Sequence, residues 1–279
     1  MPNTTQPRHT EERRASIVAW VQRQQQVSVT ELSRQFGISQ VSIRRDLDYL
    51  SEAGLLKRTH GGAAALGSAA QGAAFDVRLL QNVAIKRCIG QAAADLVQPG
   101  EVVLLDSGTT VLEVARHLPR SLLENGSLTA ITRSLAIANE LRSQRQVRLI
   151  VLGGVYLPEY DDFAGEQVET ALHSLHANTL FIGAEGIAPE RGLTTDNLLE
   201  MSVYRALAKC TDKAVVVADS SKIGVNKLQT LLPFEAVQVF ITDSGAPAGF
   251  VQRLQDKGIQ VILVTSDPKG FQNPDASSH

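Results

Sequence analysis

From residue 102 onward the chain repeats one arrangement. Seven short apolar runs, VVLL (102–105), LTAI (128–131), VRLIVL (147–152), TLFIGA (179–184), AVVVA (214–218), VQVFIT (237–242) and QVILVT (260–265), alternate with stretches of helical spacing such as TVLEVARHL and RSLAIANELRSQ. A run that is apolar throughout has no solvent face, so it belongs in a sheet covered on both sides. Strands alternating with helices predict an α/β domain with a mainly parallel sheet, covered by helices. No repeat of solenoid length is present.

The first 65 residues follow a different plan. Residues 11–25 read as a helix with Ile17, Trp20 and Val21 on one face. VTELSRQFG reads as a second, short helix, with Thr30 as its cap, Leu32 and Phe36 on one face and Gly37 as its stop. A third helix is expected from an N-cap at Ser39 to about Glu52. Two short helices joined by a tight glycine-containing turn make a helix-turn-helix. LLKRTHGGAA then reads as a β-wing folded at Gly61-Gly62. The expected organisation is an α+β winged helix-turn-helix over 8–64, a small-residue linker over 65–76, the α/β domain over 77–266 and a disordered polar tail over 267–279.

The third helix carries the chemistry of the first region. On a wheel of about 100° per residue, Ile43, Leu47 and Leu50 share one narrow arc, Arg45 lies opposite with Val41, Ser42 and Tyr49 near it, and Arg44 and Asp48 lie on one flank. An outward arginine on such a helix suits the guanine edge or a phosphate, and outward Val41 suits a thymine methyl. An isolated helix with this face would be read as merely solvated. Ser39, Gln40, Ser42 and, on the preceding helix, Thr30 are hydrogen-bonders of the right size for base edges or phosphate. Lys57, Arg58 and His60 in the wing add charge or donors for the DNA backbone. Residues 1–65 hold nine Lys/Arg against six Asp/Glu, net +3, and the remainder of the chain carries −5. That asymmetry fits an anionic partner at one end only.

The stretch RRASIVAWVQRQQQVSVTELSRQFGISQVSIRRDLDYLSEAGLLKRTHGGA resembles the winged helix-turn-helix of the DeoR family of bacterial repressors, most closely in IRRDL followed by GLLKRTHGGA. The resemblance extends over roughly residues 10–265, with Ser42 where Thr is common and Gln26 where Gly is common. It implies a transcriptional regulator, usually a repressor of a sugar-utilisation operon, released by a small sugar derivative. One recognition helix offers too little base contact for operator-level specificity, so a homodimer or homotetramer on double-stranded operator DNA is expected. The resemblance also implies an α/β domain like a sugar-phosphate isomerase, which takes a phosphorylated sugar as effector.

In that domain VVLLD runs into SGTT and then a helix, a glycine-containing strand-to-helix loop that offers N–H groups to an anion. From sequence alone an ordinary βα turn is equally acceptable. The resemblance assigns Asp106, Ser107, Gly108, Thr109 and Thr110 as effector contacts. It adds Glu185 in GAEGI, where the family usually has Asp, Lys222 in DSSKIG, and Glu200 in GLTTDNLLEMSVYRAL. The family commonly has Thr-Asn after its second strand, whereas this chain has Thr132-Arg133. Arg133 is therefore expected either to contact an anionic effector or to be a solvated first-turn helix residue.

Other functions are weakly supported. The loop is neither a Walker A nor a GxGxxG motif, so no nucleotide cofactor is expected. The pair His173 and His176 has no Glu or Cys companions, so it reads as a surface pair rather than a metal site, and His117 and Cys210 read as incidental. Two cysteines, Cys88 and Cys210, build no disulfide framework. A sugar-phosphate isomerase or deaminase with an accessory DNA-binding domain is the competing reading. Such chemistry needs a positioned acid/base pair, and Glu185 is followed only by glycine. The start MPNTTQPRHTEERR lacks an apolar secretory segment, and no apolar run reaches the roughly 18 residues of a membrane span. A cytoplasmic protein without a membrane partner is expected.

Overall fold

The computed structural model describes residues 10, 13–14, 16–18, 20–21, 24–52, 54–65 and 73–265. The chain divides into two compact units, 1–83 and 84–279.

In the first unit, the described residues among 10–24 are helical and are called α1 here. Strand β1 (Gln26–Ser28) leads to α2 (Val29–Phe36), then α3 (Gln40–Glu52) and the strands β2 (Lys57–Thr59) and β3 (Gly62–Ala64). The three strands pair antiparallel in the order β1-β3-β2. The wing is as expected, and β1 is an addition to it. The cap of α2 is Ser28 rather than Thr30. The Ser28 hydroxyl accepts from the Glu31 N–H at 3.1 Å, and Glu31 reaches back to the Ser28 N–H at 2.7 Å. This reciprocal pair satisfies two donors where Thr30, the second residue of the helix, could satisfy neither. Gly37 ends α2 in the left-handed conformation, φ 65°, where a side chain is disfavoured. Ser39 caps α3 as expected, its hydroxyl accepting from the Ser42 N–H at 3.2 Å. At Gly62 the reason for glycine is space: a Cβ there would lie 2.0 Å from the Val27 carbonyl oxygen.

The core of this unit joins Ile17, Val18 and Val21 of α1 to Leu32, Ile43, Leu47, Leu50, Leu56 and Ala63. It also takes in Val77, with Leu80 packed against it, from α4 (Ala73–Leu80). The expected linker is therefore corrected at both described ends. Ala65 bonds to the Gln25 carbonyl at 2.8 Å, and residues 73–76 are helix. Residues 66–72 lie outside the described residues, as do 266–279, where the disordered tail was expected.

The second unit starts with α5 (Val83–Ala94), whose first residue belongs to the first unit, and is built on β4 (Val102–Leu105), α6 (Thr109–Arg116), α7 (Arg120–Glu124), β5 (Thr129–Thr132), α8 (Leu135–Leu141) and β6 (Arg148–Val151). A hairpin of β7 (Val155–Leu157) and β8 (Asp162–Ala164) follows, then α9 (Glu166–Leu172) and β9 (Ala177–Ile182). The remaining elements are β10 (Gly186–Ala188), β11 (Gly192–Thr195), α10 (Met201–Lys209), β12 (Thr211–Val217), β13 (Gln229–Leu232), β14 (Val239–Asp243), α11 (Ala248–Asp256) and β15 (Gln260–Val264). All seven predicted runs become strands of one sheet, ordered β15-β14-β12-β9-β4-β5-β6, and every pairing in it is parallel. Leu104 belongs to a core cluster that includes residues of α9, α10 and α11, while Val103 and Leu105, on the opposite face of the same strand, are also wholly buried. Both faces are therefore covered. A smaller antiparallel sheet, β10-β11-β13, was not expected from the sequence.

The strand order positions the site. From β4 the chain steps outward to β5 and β6, then returns to the other side of β4 as β9 and continues outward through β12, β14 and β15. The direction reverses between β4 and β9. In open α/β sheets the loops diverging at such a point leave a crevice at the strands' carboxyl ends.

Candidate DNA interface and effector site

On α3, Ile43, Leu47 and Leu50 are wholly buried, and Val41, Arg44, Arg45 and Tyr49 are exposed, Val41 by 57%. The outward face is as the wheel placed it. Gln40 and Ser39 are exposed at its amino end, Ser42 is half-buried, and exposed Thr30 accepts from the Gln40 amide at 3.5 Å. The starts of the two helices therefore offer their polar groups together. Among the described residues, Arg44 makes only a long contact to the side-chain amide oxygen of Gln40, 3.4 Å. Lys57 and His60 are exposed in the wing.

Two features qualify the sequence reading. Asp46, four residues before Leu50, is buried and accepts from Arg13 Nε at 2.7 Å and Arg14 Nε at 2.9 Å. The Arg14 guanidinium also lies 3.7 Å from the Tyr49 ring centre. Two of the basic residues thus fasten α1 to α3. Arg58 is likewise engaged, donating to Asp48 at 2.9 Å and to the Gly62 carbonyl at 2.5 Å. It braces the wing against α3, which reduces its availability to a phosphate.

In the second unit, Asp106 to Thr110 follow β4 and so lie at the switch point. Gly108 has φ 110°, outside the reach of ordinary side chains, and is the cap residue of α6 with no side-chain capping bond. Gly183, after β9, comes close enough that an added Cβ would stand 3.7 Å from the Ser107 carbonyl oxygen. Half-buried Glu185 accepts from the Thr195 hydroxyl at 3.0 Å, tying the β9 loop to β11. Lys222 is half-buried beyond β12, and its ammonium has no hydrogen bond or ion pair among the described residues.

Arg133 meets neither expectation. It is neither solvated nor directed at an open site: its exposure is 0%. Its Nε donates to Asp106 Oδ1 at 2.6 Å. Nη1 lies 2.8 Å from Asp162 Oδ2 and donates to the Phe163 carbonyl at 3.2 Å. Nη2 serves Ser107 Oγ at 3.2 Å, Glu200 at 2.9 Å and the Tyr204 hydroxyl at 3.1 Å. A guanidinium has five N–H donors, and here all three nitrogens are engaged within the protein. Glu200, expected as an effector contact, is instead a buried partner of this arginine. Asp162 and Tyr204 were not singled out in the sequence.

The cluster holds one cation among three carboxylates. Burial drives the Glu200 carboxyl up to about 7 and that of Asp162 up to about 6, against the opposing pull of Arg133. Burial alone would lower Arg133, but the facing carboxylates, Asp106 first, hold it well above its ordinary value. Burial also pushes the Tyr204 hydroxyl well up, so it stays protonated and donates or accepts as a neutral group.

The remaining candidates stay outside both sites. His173 and His176 are exposed, and His176 pairs with Asp212 at 3.1 Å. Cys210 is a buried free thiol and Cys88 a half-buried one. Among the described residues no helix is long and apolar enough to cross a membrane.

A winged helix-turn-helix with an outward arginine face, joined to an α/β unit with a loop crevice, defines a DNA-binding transcriptional regulator with a sensor domain. The DeoR-like helix-turn-helix domain matches residues 13–69 and the DeoR C terminal sensor domain matches residues 81–244. The chain belongs to the DeoR family. A protein of Escherichia coli O157:H7, named as a transcriptional repressor of the aga operon, is 35% identical over 257 residues, 91% of this chain and 94% of its own. The L-fucose operon activator of Haemophilus influenzae is 32% identical over 247 residues, 88% of this chain and 97% of its own. Among solved structures, ribose 5-phosphate isomerase A of Methanocaldococcus jannaschii is 18% identical with a TM-score of 0.38, covering 51% of this chain and 55% of its own. Membership of a regulator family favours the regulator over the isomerase or deaminase reading.

Proposed function

We propose that the protein is a cytoplasmic repressor of a carbohydrate-utilisation operon that leaves double-stranded operator DNA when a phosphorylated sugar binds its sensor domain. Arg45, Arg44 and Val41 of α3 read base edges. Thr30, Ser39, Gln40 and Ser42 bond bases or phosphates at the helix starts, and Lys57 and His60 hold the backbone from the wing. Arg58 contributes mainly by fixing the wing's position. The observation that carries this half is the exposed arginine and valine pairing on a helix whose other face is wholly buried. The repressor name of the aga relative supports the sign, the activator name of the L-fucose relative points the other way, and the L-fucose name supports the sugar class.

The effector occupies the β4–β9 crevice. Its phosphate takes the N–H groups of Ser107 to Thr110 at the start of α6, with the Thr109 and Thr110 hydroxyls beside them. A dianion brought partly out of water also gains from a full cation, which Lys222 can supply. Glu185 and the crevice side of Asp106 bond sugar hydroxyls. One recognition helix offers too little base contact for operator-level specificity, so the working form is a homodimer or homotetramer spanning half-sites spaced in multiples of about 10–10.5 bp.

Melting the protein with glucose 6-phosphate, ribose 5-phosphate, glycerol 3-phosphate and the unphosphorylated sugars tests the effector class, because a ligand of the folded state raises Tm. Shifts with phosphorylated sugars alone, lost in Lys222→Ala, are expected. Equal shifts with the free sugars would overturn the phosphate assignment. Sedimentation showing a monomer both free and on operator DNA would overturn the assembly.

A further inference from the structure

Arg133 is wholly buried beside the loop that follows β4, and its partners define what it does there. The loop 106–110 has few anchors of its own. Gly108 contributes no side chain and α6 has no capping bond. The backbone ties are the Asp106 N–H to the Phe181 carbonyl at 3.0 Å and the Leu112 N–H to the Gly108 carbonyl at 2.9 Å. Between them, Asp106 and Ser107 are gripped from behind by one guanidinium, at 2.6 Å and 3.2 Å. The same group holds Glu200 and Tyr204 at the start of α10, and Asp162 with the Phe163 carbonyl on β8.

We propose that Arg133 is the positioning residue of the effector loop: it touches no effector, but fixes Asp106 and Ser107 and makes the loop, the start of α10 and strand β8 one rigid unit. This rests on the reading that loop 106–110 receives the effector. An asparagine at this position is too short to span Asp106, Asp162 and Glu200 together. The arginine therefore links Asp106 and Ser107, 27 and 26 positions from it, to Glu200 and Tyr204, 67 and 71 positions from it. Its saturated donors explain why a cation beside an anion-binding loop is not itself an anion ligand.

The test uses the full-length protein without any ligand. Arg133→Asn alone strands three carboxylates, so the informative variant is Arg133→Asn with Asp162→Asn, which removes one charge of each sign. Arg133→Lys is the second variant: it keeps the charge but has a single head group that cannot reach all sides. Amide hydrogen exchange is followed residue by residue. The proposal expects exchange at 107–111 and 201–205 to rise by about tenfold or more in the double variant, and by less in Arg133→Lys, with β12 and β14 unchanged. A uniform rise across the sheet, or no rise at the loop in either variant, overturns it. A second arm melts parent and variants with glucose 6-phosphate and inorganic phosphate. Loosening of the loop with a reduced shift supports both the positioning role and the effector reading. Loosening in protein whose parent form shows no shift supports the positioning role and removes only the phosphate reading.

Discussion

Each unit contains an arginine–aspartate cluster, and the two are built with opposite imbalance. In the first unit one buried carboxylate, Asp46, is shared by two arginines whose side chains keep 26% and 21% of their exposure. In the second, one arginine with no exposure is shared by three carboxylates. The first cluster leaves surplus positive charge beside α3, and water still reaches its arginines. The second leaves surplus negative charge in a dry interior, where protonation is the available relief. Similar ion pairs thus have different consequences: one fastens a helix cheaply, the other ties stability to pH.

The sharpest break of this comparison is Arg133→Ala. It leaves buried carboxylates without a counter-charge, and an unpaired buried charge costs about 3–5 kcal/mol. For a unit of this size Tm should fall on the order of 10 °C. The loss should be smaller at pH 5 than at pH 8, because the carboxylates can then be neutral. Calorimetry at the two pH values checks this, and an equal loss at both would mean the cluster is already neutral when folded.

Asp46→Ala should cost less, about 1.5–3 kcal/mol for hydrogen bonds to a charged group, because the freed Arg13 and Arg14 can turn to water. Urea unfolding of the first unit, followed by Trp20 fluorescence, measures it. A loss as large as that of Arg133→Ala would erase the distinction between the clusters.

Of similar size, but on binding rather than folding, Arg45→Ala should weaken the specific operator complex by about 1–3 kcal/mol. Lys57→Ala should weaken specific and non-specific DNA alike and lower the salt slope by about one. Titrations at several salt concentrations separate the two. Unchanged operator affinity in Arg45→Ala would mean that this face of α3 does not read DNA.

The last effect is a slope. Glu200 and Asp162, at about 7 and about 6 when folded, hold protons that the unfolded chain has released. Their contribution to stability is complete below about pH 4 and is lost as pH rises toward 7. Glu200→Gln should flatten part of this decline in a series of melts from pH 4.5 to pH 8. An unchanged slope would place the titration elsewhere.

The sequence carried much of the architecture because apolar burial has a period. The seven strands and the outward face of α3 follow directly from runs and wheels, and Gly37 and Ser39 mark their own roles locally. The reciprocal Ser28–Glu31 cap was also local, and favouring Thr30 overlooked the glutamate three residues after Ser28. The ion clusters were not legible in this way. Asp46 sits next to Leu47 and reads as a surface residue until Arg13 and Arg14, 33 and 32 positions earlier, are brought to it. Arg133 likewise shows only as a departure from family habit, since its partners lie 26 to 71 positions away. The small β10-β11-β13 sheet was missed because its strands have three or four residues and no alternation.

The packing of Val77 and Leu80 into the first core has a practical side for anyone exchanging parts between relatives. A chimaera joined within the small-residue stretch near residue 65 would carry α3 and the wing away from a helix that completes their interior. The graft would present Val27, Leu56 and their neighbours with a foreign or missing partner and would read as a failed DNA binder. Joining after Leu80 keeps that helix with the unit it belongs to, so the transplantable cassette is longer than the DNA-reading segment it serves.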